Sequence, residues 1–247
     1  MNSEKKLPAL NVNAADLTPS ALVVGDPQRA AAAAEYLEDK KELGYFREYR
    51  TFTGTYSGVP ITISSHGVGA AGASVCFDEL MQAGVKTIIR AGTCGAMRPE
   101  IEDGELIIGT AAIREDGASE KLVPIEFPAI ADRLVVAALE NAARETQHLP
   151  MHVGVVLTQG YFYSGMLPNT LPVWLEAGMG INAVEMELAT LLIIASMYGV
   201  RAGGIFTSDG NMTKESDPMA YDPHRTVVKE GVDKMIKIAL EALVRLS

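Results

Sequence analysis

Five short stretches of the chain combine residue types suited to chemistry on a small anionic, hydroxylated ligand. VVGDPQR carries Gly25 and Arg29, and IIRAGTCGA carries Arg90 and Thr93. SSHGVGAAGAS carries His66 with Gly67, Gly69 and Gly72, while INAVEMEL carries Glu185 and Glu187 and GGIFTSDG carries Asp209. Arg29 follows a glycine and a proline that would open a helix, where free N–H groups and a forked guanidinium favour an anion. Arg90 interrupts a buried strand, so it needs a phosphate or a carboxylate as partner. Thr93 and the flanking glycines read as half of an oxyanion cradle. Each stretch also has a plain structural reading: a strand-to-helix turn with an exposed Arg29, and a buried Arg90–carboxylate pair.

The glutamates are the least ordinary feature, because glutamate is rarely buried without a partner. Asn182 and Glu185 have the spacing of a helix-capping box. Two residues on, Glu187 would lie about 200° around that helix, on a stripe with Val184, Leu191 and Ile194. A carboxylate there either accepts hydrogen bonds from sugar hydroxyls or pairs with a core arginine such as Arg90. Asp209, at the end of an apolar strand, is either a general acid made available by burial or a turn residue. The G-x-G-x-x-G match at Gly67, Gly69 and Gly72 follows a hairpin and lacks the distant acidic residue of a dinucleotide site, so NAD is rejected. His66 reads as a structural histidine more readily than as a catalyst.

The elements that must position these residues follow from pattern. ALVVG, VPITISSHG, KTIIRAG, ELIIGTAAI, HVGVVLTQG and AGGIFTSDG read as strands, and helical stretches are expected over 28–40, 73–83, 129–145, 183–198 and about 224–246. Ser57-Gly58 predicts an antiparallel hairpin. The expected fold is α/β, with a mixed, mainly parallel central sheet surrounded by helices, in a single domain over residues 1–247. Ligands in such sheets collect beyond the carboxyl ends of the strands. The polar stretch GNMTKESDPMAYDPH reads as a loop or lid.

Composition bounds the function. A formal net charge of −10 argues against nucleic acid as partner. Cys76 and Cys94 sit among small or apolar residues, which suits core thiols in a reducing compartment. No run reaches the roughly 18 apolar residues of a membrane span, and the N-terminus lacks an apolar signal core, so a cytoplasmic location is expected.

In order and spacing, VVGDPQR, RTFTGTYSG, SHGVG, IIRAGTCGA, AVEMEL and TSDG resemble the nucleoside phosphorylase family, in its purine/uridine branch of small-subunit homo-oligomers. The resemblance spans nearly the whole chain. It implies reversible phosphorolysis of a nucleoside to free base and ribose 1-phosphate, with inorganic phosphate as co-substrate and neither metal nor organic cofactor. It implies that Gly25, Arg29, Arg90 and Thr93 hold phosphate, joined by Arg47 delivered into a neighbouring subunit's site. Met186 and Glu187 match the ribose ligands, Phe162 the base-stacking aromatic, and Asp209 the acid that protonates a purine. Uridine-cleaving relatives carry a glutamine and an arginine where this chain has Met166 and Pro168, which points to 6-oxopurine nucleosides such as inosine and guanosine and to purine salvage. A hexamer of three dimers is implied.

Two positions depart from the family pattern. Ala9 stands where a histidine usually holds the 5′-hydroxyl, so looser recognition of the 5′ end is expected. Gly72 replaces a common serine, which bears on a monovalent-ion site. The rival readings are a nucleosidase of the same fold, disfavoured by three arginines, and a non-catalytic nucleoside binder.

Overall fold

Strand β1 (Ser20–Val24) is buried at every position, as a continuous apolar run in a parallel sheet should be. Its hydrogen bonds run in parallel to β4 (Val59–Ser65) on one side and to β5 (Thr87–Ala96) on the other. Strand β10 (Arg201–Asn211) adds in parallel to the far edge of β5, completing a central parallel block. The computed structural model describes residues 6–146, 150–163, 165–214 and 221–247.

Outside that block the sheet is antiparallel at one end and closed at the other. Strands β2 (Glu38–Phe46) and β3 (Tyr49–Tyr56) meander onto β4. The β3–β4 turn is Ser57-Gly58 with φ of 48° and 79°, the left-handed pair a tight hairpin needs. At the other end, β10 also pairs with β6 (Leu106–Glu115), β6 with β8 (Met151–Gln159), and β8 with β9 (Ala183–Glu185). Strand β9 returns to β5 at Gly95 and Ala96, so these strands close into a ring, and the two-residue β7 (Ala129–Ile130) lies outside it on β6.

This closure makes the site possible. On one edge, β5 pairs with β1 only as far as Arg90, and with β9 only from Gly95. The stretch between is left free of that edge's ladder, at the point where the sheet splits. A crevice at such a split is where α/β sheets bind ligands.

Helices cover both faces. Helices α2 (Ala70–Gln82) and α6 (Leu188–Tyr198) share one core with Phe77, Leu80 and Leu191. Helix α1 (Pro27–Ala34), α4 (Arg133–Thr146) and α7 (Thr226–Arg245) pack on the other with Leu139, Met235 and Leu240. Short helices α3 (Ser119–Leu122) and α5 (Leu171–Glu176) lie in connections. Among the described residues no helix is long and apolar enough to cross a membrane.

Three expected helices are shortened because sheet pairing claims part of them. The helix expected over 28–40 ends at Ala34, and Glu38 onward forms edge strand β2, where backbone pairing with β3 overrides helical propensity. Ala129 and Ile130 pair with β6 before α4 begins. Residues Ala183–Glu185 are strand β9, so α6 starts at Leu188.

Leu188 fixes that start. Gly109 and Gly204 face each other across the β6–β10 ladder, and a Cβ on either would come within 2.6 Å or 2.7 Å of the Leu188 methyl groups. The side chain is wholly buried in the notch the two glycines leave. Leu188→Ala is therefore expected to cost about 2–5 kcal/mol in urea unfolding; a loss below about 1 kcal/mol would mean the notch collapses freely.

Candidate active site

The crevice is first lined by the turn after β1. Asp26 caps α1, accepting the Gln28 N–H at 2.7 Å, and Pro27 occupies the first turn, so the helix begins two residues after Gly25. Arg29 is half-buried and makes no hydrogen bond or ion pair among the described residues. Its pKa is lowered, by burial first and by nearby Arg90, with Asp26, Asp209 and Tyr221 opposing. A guanidinium held from water without a fixed partner, at a helix N-terminus, is poised for an anion.

Arg90 lies mid-strand in β5, with its guanidinium 5.0 Å from the centre of the Phe206 ring. Gly92 gives it room, since a Cβ there would stand 2.7 Å from Nη1. Nη2 donates to Glu187, and Nη1 lies 3.1 Å from Glu185 without hydrogen-bond geometry, so among the described residues Nε and Nη1 keep unused donors. The core pairing of Arg90 with a carboxylate is thus present, and it involves both glutamates.

The two glutamates divide their work. Glu185 accepts the N–H groups of Glu187 and Leu188, at 2.8 Å and 2.9 Å, and the Thr158 hydroxyl. It caps α6, but from strand β9 rather than through a capping box with Asn182. Asn182 is buried in the sheet, its N–H bonded to Val155 O and its carbonyl to Met97 N–H. Glu187, the residue immediately before α6 and not on a helical stripe, accepts the Gly69 N–H at 2.6 Å as well as Arg90. Gly69 has φ of 88°, which frees that N–H to point across the crevice. Burial pushes both carboxyls up. Glu185 stays raised, whereas Arg90, His66 and the Gly69 N–H bring Glu187 below its ordinary value. Glu187 is the anion of the pair.

Asp209 completes the cluster from β10. The β10–β5 register slips between Ser208 and Gly210, so Asp209 is the extra residue of a bulge rather than a turn residue after the strand. Bulges re-aim side chains in this way. Asp209 is 4% exposed, and its carboxyl accepts the Tyr221 hydroxyl at 2.7 Å. Burial raises its pKa, against the pull of the Tyr221 and nearby Thr93 hydroxyls and of Arg29. Phe162 is exposed and packs 5.8 Å from the Tyr221 ring, which extends the cluster outward from Asp209. Arg29, Arg90, Thr93, Glu187 and Asp209 thus gather around one crevice, with Gly25 at the turn before Arg29 and Phe162 reaching the cluster through Tyr221.

The model of the phosphorylase superfamily matches residues 19–245. The chain belongs to that superfamily. Purine nucleoside phosphorylase of Plasmodium vivax is 38% identical over 240 residues, covering 96% of each chain. Uridine phosphorylase of Treponema pallidum is 34% identical over 242 residues, covering 95% of this chain and 92% of that one. The crystal structure of purine nucleoside phosphorylase from Toxoplasma gondii in complex with immucillin-H superimposes with a TM-score of 0.92 at 35% identity, covering 100% of this chain and 98% of that one.

Of the remaining residues expected at the site, Arg47 stands apart from this cluster and Met186 lies within it. Arg47 is exposed at the tip of the β2–β3 hairpin, with φ of 56° and its guanidinium 5.5 Å from the Phe46 ring centre. Met186 is half-buried between the two glutamates. His66 is wholly buried, but both ring nitrogens lack partners among the described residues, and burial first lowers its pKa to about 4. It is a neutral imidazole beside Glu187, not a satisfied one. Burial pushes the Cys76 thiol up to about 12 and Cys94 well above its usual value, so both are inert core thiols at neutral pH. Of the loop expected over GNMTKESDPMAYDPH, residues 215–220 lie outside the described residues. The functional residue missed in that stretch is Tyr221, whose only local signal is an aromatic amid polar breakers.

The raised pKa of Asp209 sets a pH test. A carboxyl whose folded pKa exceeds its unfolded one favours folding while protonated and loses that contribution as pH rises through the folded value. Asp209→Asn should therefore melt higher than wild type at pH 7, with the gap closing as pH falls to about 4, the ordinary aspartate range. A variant equally destabilised at both pH values would show that Asp209 is a net structural asset.

Proposed function

We propose that this protein is a purine nucleoside phosphorylase acting on 6-oxopurine ribonucleosides such as inosine and guanosine. The observation that carries the reading is Asp209: a buried carboxyl with raised pKa, on a bulge, beside a cation cradle and across the site from an ionised Glu187. Phosphorolysis needs these three functions together.

In this reading phosphate is held by the first turn of α1, Arg29, Arg90 and Thr93, with Arg47 of a neighbouring subunit completing the cradle. Arg90 turns its unused donors to the phosphate and shares its charge with Glu187. Glu187 accepts the 2′ and 3′ hydroxyls, beside Met186. As the bond from C1′ to the purine nitrogen lengthens, positive charge on the ribosyl group lies between two anions, phosphate and Glu187. A phosphate oxygen forms the new bond to C1′, the electron pair of the old bond passes to the purine, and Asp209 supplies a proton at N7. The products are free purine and ribose 1-phosphate. The arginines hold the nucleophile in line, a gain of position rather than of bonding. No step calls for a metal or organic cofactor.

The choice of base rests on Asp209 and on the loop beyond Phe162. Met166 and Pro168 are exposed and offer no hydrogen-bond edge for a uracil. The relatives named purine and uridine phosphorylases lie at similar identity to this chain, so the base is argued from these residues and not from overall similarity. A hexamer built from dimers, purine salvage and a cytoplasmic location complete the proposal.

The test is inosine consumption in phosphate-free buffer, with and without added inorganic phosphate. Hypoxanthine release that requires phosphate and yields ribose 1-phosphate is expected. Equal release without phosphate would make the protein a nucleosidase, and no turnover of inosine or guanosine would reject the purine assignment.

A further inference from the structure

Tyr221 reaches Asp209 from outside every motif that points to the reaction. Its hydroxyl donates to Asp209 Oδ2 at 2.7 Å, and its ring lies 5.8 Å from Phe162 at an interplanar angle of 53°. The segment that carries it is anchored. Arg225, the cap residue of α7, donates from Nη2 to the main-chain carbonyl of Asp209 at 2.9 Å, from Nε to the Asp222 carbonyl at 2.9 Å, and from Nη1 to Asp103 at 2.5 Å. Asp222 in turn accepts the His224 N–H. One guanidinium thus ties the backbone beside Tyr221 to the bulge that carries Asp209.

Resting on the phosphorylase reading, we infer that Tyr221 is a positioning residue for the acid: its hydroxyl occupies Oδ2 of Asp209 and leaves the other carboxyl oxygen to carry the proton destined for the purine. The argument follows from donor count. A protonated carboxyl has one donor, and an oxygen already accepting a phenol hydrogen is the poorer place for it. The same hydrogen bond strengthens as the carboxyl becomes a carboxylate, so it favours the acid as its proton leaves. The other groups facing Asp209 cannot substitute. Thr93 from β5 lies near the carboxyl and serves the phosphate cradle, Arg29 from α1 acts through space, Cys94 is an inert thiol, and Arg225 engages the backbone oxygen. The Tyr221 ring, tilted against Phe162, also walls the space where a base would stack.

Tyr221→Phe separates these roles, because it deletes the hydroxyl and keeps the ring. The variant and the wild type are compared on inosine, whose base needs a proton to leave, and on 7-methylinosine, whose base departs without one, at saturating phosphate across pH 5.5–9. With inosine, kcat should fall roughly tenfold to a hundredfold, the range set by a lost hydrogen bond to an ionising acid. The basic limb should move to higher pH, since a carboxyl without its donor holds its proton longer. KM should change little, and 7-methylinosine turnover should stay within about twofold of wild type, which also reports an intact fold. Equal losses on both nucleosides would overturn the inference and make Tyr221 a pocket wall; an unchanged kcat and pH profile on inosine would overturn it equally. If the wild type cleaves neither nucleoside with phosphate, the phosphorylase reading falls and this inference with it.

Discussion

One buried guanidinium organises this molecule. Arg90 stands between Glu185 and Glu187 in a setting where all three are nearly shielded from water. Such groups are expensive to desolvate, and well-packed apolar residues often serve stability better. The arrangement is therefore better explained by the charges it holds ready than by stability. Around it are three carboxyls, Glu185, Glu187 and Asp209, and two arginines, Arg29 and Arg90, so the site balances when one carboxyl is protonated. Burial raises both Glu185 and Asp209, and the neighbouring Glu187 charge adds to the rise of Glu185. Glu185 is bound up in capping α6, which under the proposed reading leaves Asp209 as the exchangeable acid.

The backbone supports this arrangement at each contact. Strand β5 parts from β1 at Arg90, Gly92 clears space for the guanidinium, and the ring closure through β9 brings Glu185 to it. Leu188, seated against Gly109 and Gly204, fixes the start of α6 and with it the position of Glu187. The side of the site proposed to hold sugar and anion is thus built on buried strands and a buried helix. The aromatic side is different: Phe162, Tyr163 and Met166 are exposed on a connection between β8 and α5. Under the proposed reading, the bond-breaking machinery is rigid and the base-reading surface is adaptable, a division that suits a superfamily whose members carry different base names.

Much of this was legible in the sequence where the signal is local. The apolar strands, Ser57-Gly58 and the Gly25–Arg29 turn have short-range causes, and they appear where expected. What was not legible depends on pairing across the chain. Ala183–Glu185 reads as helix because its neighbours do, yet β5 and β8 both take it as a strand. Glu38 to Lys40 continues a helical pattern until β3 claims the segment. The Asp209 bulge is a mismatch between two strands and has no counterpart in one of them. Tyr221 and Arg225 gain meaning only once α7 folds back beside β10. For Arg90 and Glu187, the sequence posed ligand binding and core pairing as alternatives; the structure contains the pairing, and the unused Arg90 donors leave room for the other role.

The most direct test of this account asks whether Arg90 is shared between Glu187 and an anion. Inorganic phosphate would be titrated calorimetrically into wild type and Glu187→Gln without nucleoside. If Glu187 competes for the arginine, the variant binds phosphate several-fold more tightly, even though it lacks the carboxylate proposed to hold ribose. Equal or weaker binding by a folded Glu187→Gln would contradict the account, and would mean that Arg90 belongs to the core and that phosphate, if it binds, is held elsewhere.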